Sequence, residues 1–352
     1  MKRIHDNQNN IEQLRNVLPN SWGTIGPRFV EASEAIAAHF SMKHGLLLFS
    51  VSAALETILR GWNISYGDEV IVASWSDPLD SMVTAAVGAT PVFADVCPDT
   101  FTLSAAQLEG CLTPNTKAVI ADLPAGNPCN AKALSAFCKA KGIRLILNLG
   151  DSWDTTFEGK PIASYADAAF LNLSEQKVVD LGLAGGIVTD DADSFNLFYA
   201  YHNCGRPFGD GCTLSFDSII GGDFRVAEWQ AALLVAAMPG IADTVATCRA
   251  RYDEIVTLTK DGFAPIQTVE NGRSSCAGVL LAPNGGDQTA ALKKLSEAGY
   301  AVSAPYAAMH GQPFWSNGYF NKLTGKTVAA THSNYPNSIN AASTLIFVSV
   351  EK

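Results

Sequence analysis

Between residues 45 and 190 short apolar runs alternate with stretches of helical spacing. Strands are predicted at 46–50, 69–73, 91–96, 117–123, 144–150, 168–173 and 186–189, several of them apolar at nearly every position. Continuous apolar character suits strands covered on both faces, because neither face meets water. Helices are predicted at 52–61, 77–87, 104–111 and 130–141, each opening on or near a Ser, Asp or Asn able to cap a helix start. The alternation predicts an α/β fold: a mostly parallel central sheet with helices on both faces. Residues 205–222, rich in Gly, Asp and Ser, break the rhythm as a long loop, and loops of that length in compact domains usually carry function.

Two further helices are predicted at 224–238 and 241–260, the second connecting to a new β-α-β rhythm. That rhythm comprises a strand at 277–282, a helix at 287–298, and strands at 301–304 and 344–350. The expected organisation is an N-terminal segment (1–30), a large domain (31–240) and a smaller C-terminal α/β domain (241–352).

Composition narrows the function classes. The 352 residues are 47% hydrophobic and 16% charged, a globular balance. A net charge of −10 without a Lys/Arg-rich tract argues against nucleic-acid binding. No apolar leader opens the chain, and no apolar run suggests a membrane span, so a cytoplasmic protein without membrane attachment is expected. Eight cysteines without a C-x-x-C pair read as reduced thiols, and no metal site is expected.

In a doubly wound sheet, ligands sit beyond the carboxyl ends of the strands, where strand order reverses. The loops at 50–54, 73–77, 148–151 and 174–177 each follow a predicted strand and could converge on one pocket. A lysine in such a pocket matters because burial lowers its pKa and makes the amine a nucleophile toward aldehydes. By itself, one lysine after a strand is most often a solvated surface group, and the GLAGG run at 182–186 most often a plain turn.

Taken in order, the segments resemble the sugar-aminotransferase (DegT/StrS-type) family of fold-type-I pyridoxal 5'-phosphate (PLP) enzymes. The resemblance is carried by GDEVIVASWSDPLDSMVTAAVGATPVFADVCPDTFTL (67–103), LTPNTKAVI (112–120), TFEGKPIASYADAAF (156–170) and KVVDLGLAGGIVTDD (177–191). NCGRP (203–207), GGDFRVAEWQAAL (221–233) and YAAMHGQPFW (306–315) continue it in the same order. It implies a PLP-dependent aminotransferase moving an amine from glutamate or glutamine to a keto group of a nucleotide-linked deoxysugar or cyclitol. The partners it implies are that small-molecule substrate and a second subunit, in a homodimer or a heterodimer with a homologue.

Position by position, Lys177 falls on the Schiff-base lysine, the catalytic residue. Ser52 and Ala53 fall on the helix start that cradles the cofactor phosphate, and Asn172 on a residue that holds the same phosphate. Asn148 falls where the family has the Asp that pairs with the pyridine nitrogen, and Asp151 where it has a Gln or Glu near the ring hydroxyl. Asp223 falls where an Asn usually reaches the phosphate across the dimer interface. Arg225 and His310 fall near the substrate mouth. Asp77 stands where an aromatic often stacks on the ring, and Trp75 is the residue able to stack instead.

Three of these are departures. An amide at 148 cannot hold the ring proton by charge, a loss on the order of 1–3 kcal/mol. A carboxylate at 223, placed about 4 Å from a phosphate, would cost on the order of 4 kcal/mol at intermediate dielectric unless Arg225 screens it. Asp77 removes a stacking ring. Alternative implications are therefore a PLP enzyme of altered chemistry (elimination, replacement or decarboxylation on an amino acid) or an inactive partner subunit.

Overall fold

The computed structural model describes residues 8–19, 23–150, 152–174, 178–208, 219–325 and 335–350. Seven strands build the main sheet: β1 (His44–Leu48), β2 (Glu69–Ala73), β3 (Thr90–Ala94), β4 (Thr116–Asp122), β5 (Arg144–Gly150), β8 (Ala168–Asn172) and β9 (Gly185–Thr189). Between β5 and β8 a small hairpin, β6 (Thr156–Phe157) and β7 (Lys160–Pro161), pairs with the distant β11 (Gly272–Arg273). The main sheet runs β1-β9-β8-β5-β4-β2-β3, parallel except for β9, which is antiparallel to both neighbours. The predicted strands are thus all present, with ends moved by no more than two residues, and the predicted α/β class holds.

Burial explains why these segments are strands. Leu46–Leu48, Val70–Val72, Ala118–Ala121 and Leu145–Leu147 are all buried, having helices above and below. On β9, glycine is required at 185: an added Cβ would lie 2.4 Å from the Ser50 carbonyl oxygen. The helix Val51–Gly61 can therefore start directly beside β9.

A second sheet of β10 (Phe263–Pro265), β12 (Gly278–Pro283), β13 (Val302–Ser303) and β14 (Ile346–Ser349), ordered β10-β12-β14-β13, is antiparallel throughout. It has a core of its own, built on Val279, Leu281, Leu295 and Val348. Met309, Trp315 and Phe320, from the stretch between β13 and β14, pack instead into the core of the main sheet. Most of the expected loop at 205–222 lies outside the described residues.

Two helices, Glu228–Ala237 and Ile241–Thr259, are joined by a tight 3-10 turn at Met238–Gly240 that contains Pro239. By length and composition alone the run Glu228–Thr259, which contains an 18-residue window of mean hydropathy 1.6, could cross a membrane. In the fold it buries Ala231, Leu233, Leu234 and Val245 in the main core. Glu228 anchors this run to the N-terminal helix Pro27–His39. Its carboxylate accepts the backbone N–H groups of Gly26 (2.9 Å), Arg28 (2.6 Å) and Phe29 (3.2 Å). It satisfies three of the orphan donors of that helix start from 200 residues away.

Candidate active site

A cavity of about 580 Å³ lies over the carboxyl ends of β2, β4, β5 and β8. Strand order switches here, since β3 follows β2 outward while β4 lies on the opposite side of β2. Trp75, Asp122, Asn148 and Asn172 line one wall, and Leu280, Tyr306 and Phe347 from the C-terminal region line the other. The site is therefore closed by the second sheet.

Asn148 sits near the end of β5, buried to 2% exposure. The β5–β8 register shifts between Asn148 and Gly150, and Gly150 takes φ +51. A bulge of this kind re-aims a side chain and is common beside ligand sites. Here it turns the Gly150 N–H back onto Asn148 Oδ1 (3.0 Å). The amide nitrogen of Asn148 donates to Asp80 Oδ1 (2.9 Å). Those two bonds together set which end of the amide is which, and Oδ1 keeps a second lone pair.

Asp80, in the first turn of the helix Pro78–Ala86, is completely buried. Among the described residues, its Oδ2 has no hydrogen-bond partner. The nearby Ser76 hydroxyl tempers the charge but donates to the Ala73 carbonyl (3.1 Å). Burial, followed by repulsion from Asp122 and then Asp77, pushes the Asp80 carboxyl well above the usual carboxylate range; the Asn148 bond works against this. Asp122 ends β4 opposite Asn148 in the strand register and accepts the Asp77 N–H (3.1 Å). Burial, then Asp122, Asp77 and Asp80, also raises the Tyr306 hydroxyl well above its ordinary pKa.

Asp77 has a structural job of its own. Its Oδ1 accepts the Leu79 N–H (2.9 Å), capping the helix that Pro78 begins. Trp75 is fixed by its indole N–H to the Tyr306 carbonyl (2.9 Å) and by ring contacts with Phe101 and Tyr306. It presents an aromatic wall to the cavity. Asn172 closes β8 and accepts the Ser174 N–H at Oδ1 (3.0 Å).

Of the residues singled out in the sequence, the fold gathers Trp75, Asn148 and Asn172 around one cavity. Lys177 and Asp151 lie outside the described residues, but their neighbours Val178 and Gly150 both line it. Ser52 and Ala53 do not line it. They stand in the first turn of Val51–Gly61, where the Ser50 hydroxyl accepts the Ala53 N–H (3.1 Å), Ser52 is exposed and Ala53 buried.

Asp223, Arg225 and His310 are also outside the cavity wall. Arg225 grips Asp223 with two parallel bonds (2.7 and 2.8 Å), which holds the Asp223 carboxyl below its usual range. His310 Nδ1 bonds the Ser74 hydroxyl (2.5 Å) while its ring stacks on Tyr335.

Asp80, Asp122 and Tyr306 were not among the expected residues. Asp122 had a signal, as a carboxylate ending an otherwise apolar strand. Asp80 had none, because an acid in the first turn of a helix ordinarily faces water.

Together, the mostly parallel sheet, the cavity at its switch point and the covering second sheet define a fold-type-I PLP-dependent transferase architecture. The chain belongs to the DegT/DnrJ/EryC1/StrS aminotransferase family, whose model matches residues 5–343. It is 30% identical over 281 residues to L-glutamine:2-deoxy-scyllo-inosose aminotransferase of Streptomyces paromomycinus, covering 75% of this chain and 66% of that protein. Over 183 residues it is 30% identical to the spore coat polysaccharide biosynthesis protein SpsC of Bacillus subtilis, covering 52% of this chain and 47% of that one. The matched segments thus span about two thirds and about half of these relatives' lengths. Among solved structures, 3-amino-5-hydroxybenzoic acid synthase superposes with a TM-score of 0.86 at 22% identity, covering 98% of this chain and 91% of the other. At that identity the likeness speaks for the fold.

Aminotransferases of this family depend on PLP. The cavity suits that group: Asn148 Oδ1 offers a spare acceptor for a ring nitrogen, Trp75 an aromatic wall and Asn172 a polar edge.

Proposed function

We propose that this chain is a PLP-dependent aminotransferase that moves an amine from glutamate or glutamine to a keto group on a cyclitol or a nucleotide-linked deoxysugar. The carrying observation is the family match over residues 5–343. The convergence of Trp75, Asn148 and Asn172 on one cavity supports it. When bound, PLP supplies an aldehyde that captures amines and a ring that draws electrons from the adjacent carbon.

The chain's own residues supply the rest. In this reading Lys177 Nζ anchors the cofactor, takes a proton from the α-carbon of the amino donor and, in the second half-reaction, gives a proton to the carbon that receives the amine. Asn148 orients the ring nitrogen, Trp75 bounds the ring, and the second sheet excludes water over the strand ends. Asp77 and Asp122 on the cavity wall favour a neutral or amine-bearing polyol over an anionic group at that wall.

The reading includes a cytoplasmic homodimer. The exposed apolar side chains of Ile220, Trp229 and Val30 support a subunit contact, which sedimentation would test.

The function is tested by the cofactor spectrum of the purified chain. A band from PLP joined to the Lys177 amine that disappears in Lys177→Ala, and that converts to the amine form on adding glutamate or glutamine, is the expected result. No conversion with any common amino donor would refute transamination. Asn148, standing in place of a carboxylate, favours a second reading in which bound PLP serves elimination or replacement on an amino acid. That reading predicts keto-acid or replacement products with no amine-form cofactor.

A further inference from the structure

We propose that Asp80 is a positioning residue that acts through Asn148 to keep a proton on the ring nitrogen of bound PLP. The inference rests on the cofactor reading above. It reassigns to the pair Asp80–Asn148 the charge that a single carboxylate at position 148 would provide.

Two hydrogen bonds fix the orientation of the Asn148 amide. Gly150 N–H binds Asn148 Oδ1 at 3.0 Å, and Asn148 Nδ2 binds Asp80 Oδ1 at 2.9 Å. Exchanging Oδ1 and Nδ2 would set a donor against the Gly150 donor and break both bonds. The free valence on the Gly150 side of Asn148 is therefore an acceptor, and an acceptor can bind a ring nitrogen only if that nitrogen carries a hydrogen.

Charge reinforces the orientation. A neutral amide alone holds such a proton weakly, but this amide's donor end rests on a buried carboxyl, and polarisation along the chain strengthens the acceptor end. Asp80 is fully buried and its Oδ2 has no partner among the described residues, a costly arrangement unless a positive group completes it. Among the described residues, the other groups facing Asp80 are Asp77, Asp122, Ser76 and, more distantly, Tyr306, none of them cationic. Their repulsion and the burial favour a proton on Asp80 when no cation is near. With the ring in place one proton resides on the ring nitrogen instead. Asp80, Asn148 and the ring then remain neutral in total, and no further reactant is needed.

The test is the nitrogen chemical shift of PLP labelled with 15N in the ring and bound to the purified chain. The expected result is the protonated position in the natural protein and the unprotonated position in Asp80→Asn. Asn148→Leu, which cuts the link but leaves Asp80 in place, should also give the unprotonated position. The exchanged pair Asp80→Asn/Asn148→Asp should restore the protonated one, which a merely structural role for Asp80 does not predict. An unprotonated nitrogen in the natural protein would overturn the proposal by itself, even if every variant failed to fold. So would a protonated nitrogen in either single variant. A natural protein that takes up no PLP would overturn the cofactor reading and this inference together, whereas bound PLP with an unprotonated nitrogen overturns only the role of Asp80.

Discussion

Returning the carboxylate that the family resemblance expects, by Asn148→Asp, should weaken the fold without PLP. In the natural chain the amide nitrogen at 148 stands 2.9 Å from Asp80 Oδ1, a donor facing an acceptor. The variant puts two carboxyl groups there, both buried, with Asp122 and Asp77 close enough to raise Asp80 further. Two charges about 4 Å apart at an effective dielectric of 20 repel by about 4 kcal/mol, so one must hold a proton at neutral pH. Losing the existing hydrogen bond and adding a second buried carboxyl beside one that already favours its proton should destabilise the fold by about 2–4 kcal/mol at pH 8.

The sign with pH follows from proton counts. The folded pair has a raised pKa and so binds more protons than the unfolded chain above the ordinary carboxylate range. Stability therefore falls as pH rises toward the raised value, and the defect should shrink at pH 5. Urea unfolding of the PLP-free chain at the two pH values measures it as a shift in midpoint at constant slope. The double variant Asp80→Asn/Asn148→Asp restores an amide facing a carboxyl and should recover most of the loss, giving a positive coupling energy. A single variant as stable as the natural chain at pH 8, or a double variant no better than the sum of the singles, would refute this account of the pair.

Substitutions at three further sites test contacts outside the Asp80–Asn148 pair. Glu228→Ala strands the N–H groups of Gly26, Arg28 and Phe29 and should cost about 2–4 kcal/mol in urea unfolding, with Glu228→Gln, which keeps one acceptor oxygen, costing clearly less; equal costs would refute the acceptor role and leave the charge as the cause. His202 is buried with its pKa pushed down to about 4, first by desolvation, so the unfolded chain binds its proton more readily between about pH 6.5 and 4. Its contribution, roughly 3 kcal/mol at most, is lost as pH falls through that window, and His202→Gln should flatten the acid limb of the stability curve. Trp75→Phe removes the bond to the Tyr306 carbonyl and should cost about 1 kcal/mol while loosening the 303–306 segment, read as faster amide exchange there.

Much of this molecule is legible along the chain. The apolar runs at 69–73, 117–123 and 144–150 read as covered strands, because a short segment apolar at nearly every position has to hide both of its faces. The cap at Asp77 followed by Pro78 could be read locally for the same kind of reason: it satisfies orphan N–H groups within its own turn. The carboxyl-end loops that converge on the cavity follow from strand direction, which makes Trp75, Asn148 and Asn172 readable as neighbours.

Tertiary structure decided what depends on partners far apart in sequence. Asp80 looks like a first-turn acid until the sheet carries Asn148, 68 residues on, against it; only then does an acid that would face water become a buried group missing half its bonds. The Asn148 amide acquires its direction from a bulge in the β5–β8 register, which no local propensity encodes. The screening of Asp223 by Arg225 was foreseeable at two residues' separation, yet the position of that pair outside the cavity wall was not. The chain's periodicity set strands, helices and the end of the sheet where a ligand binds, because those follow from local burial and strand polarity. Which polar atoms meet there, and with what charge, follows from packing that brings distant segments into one low-dielectric space.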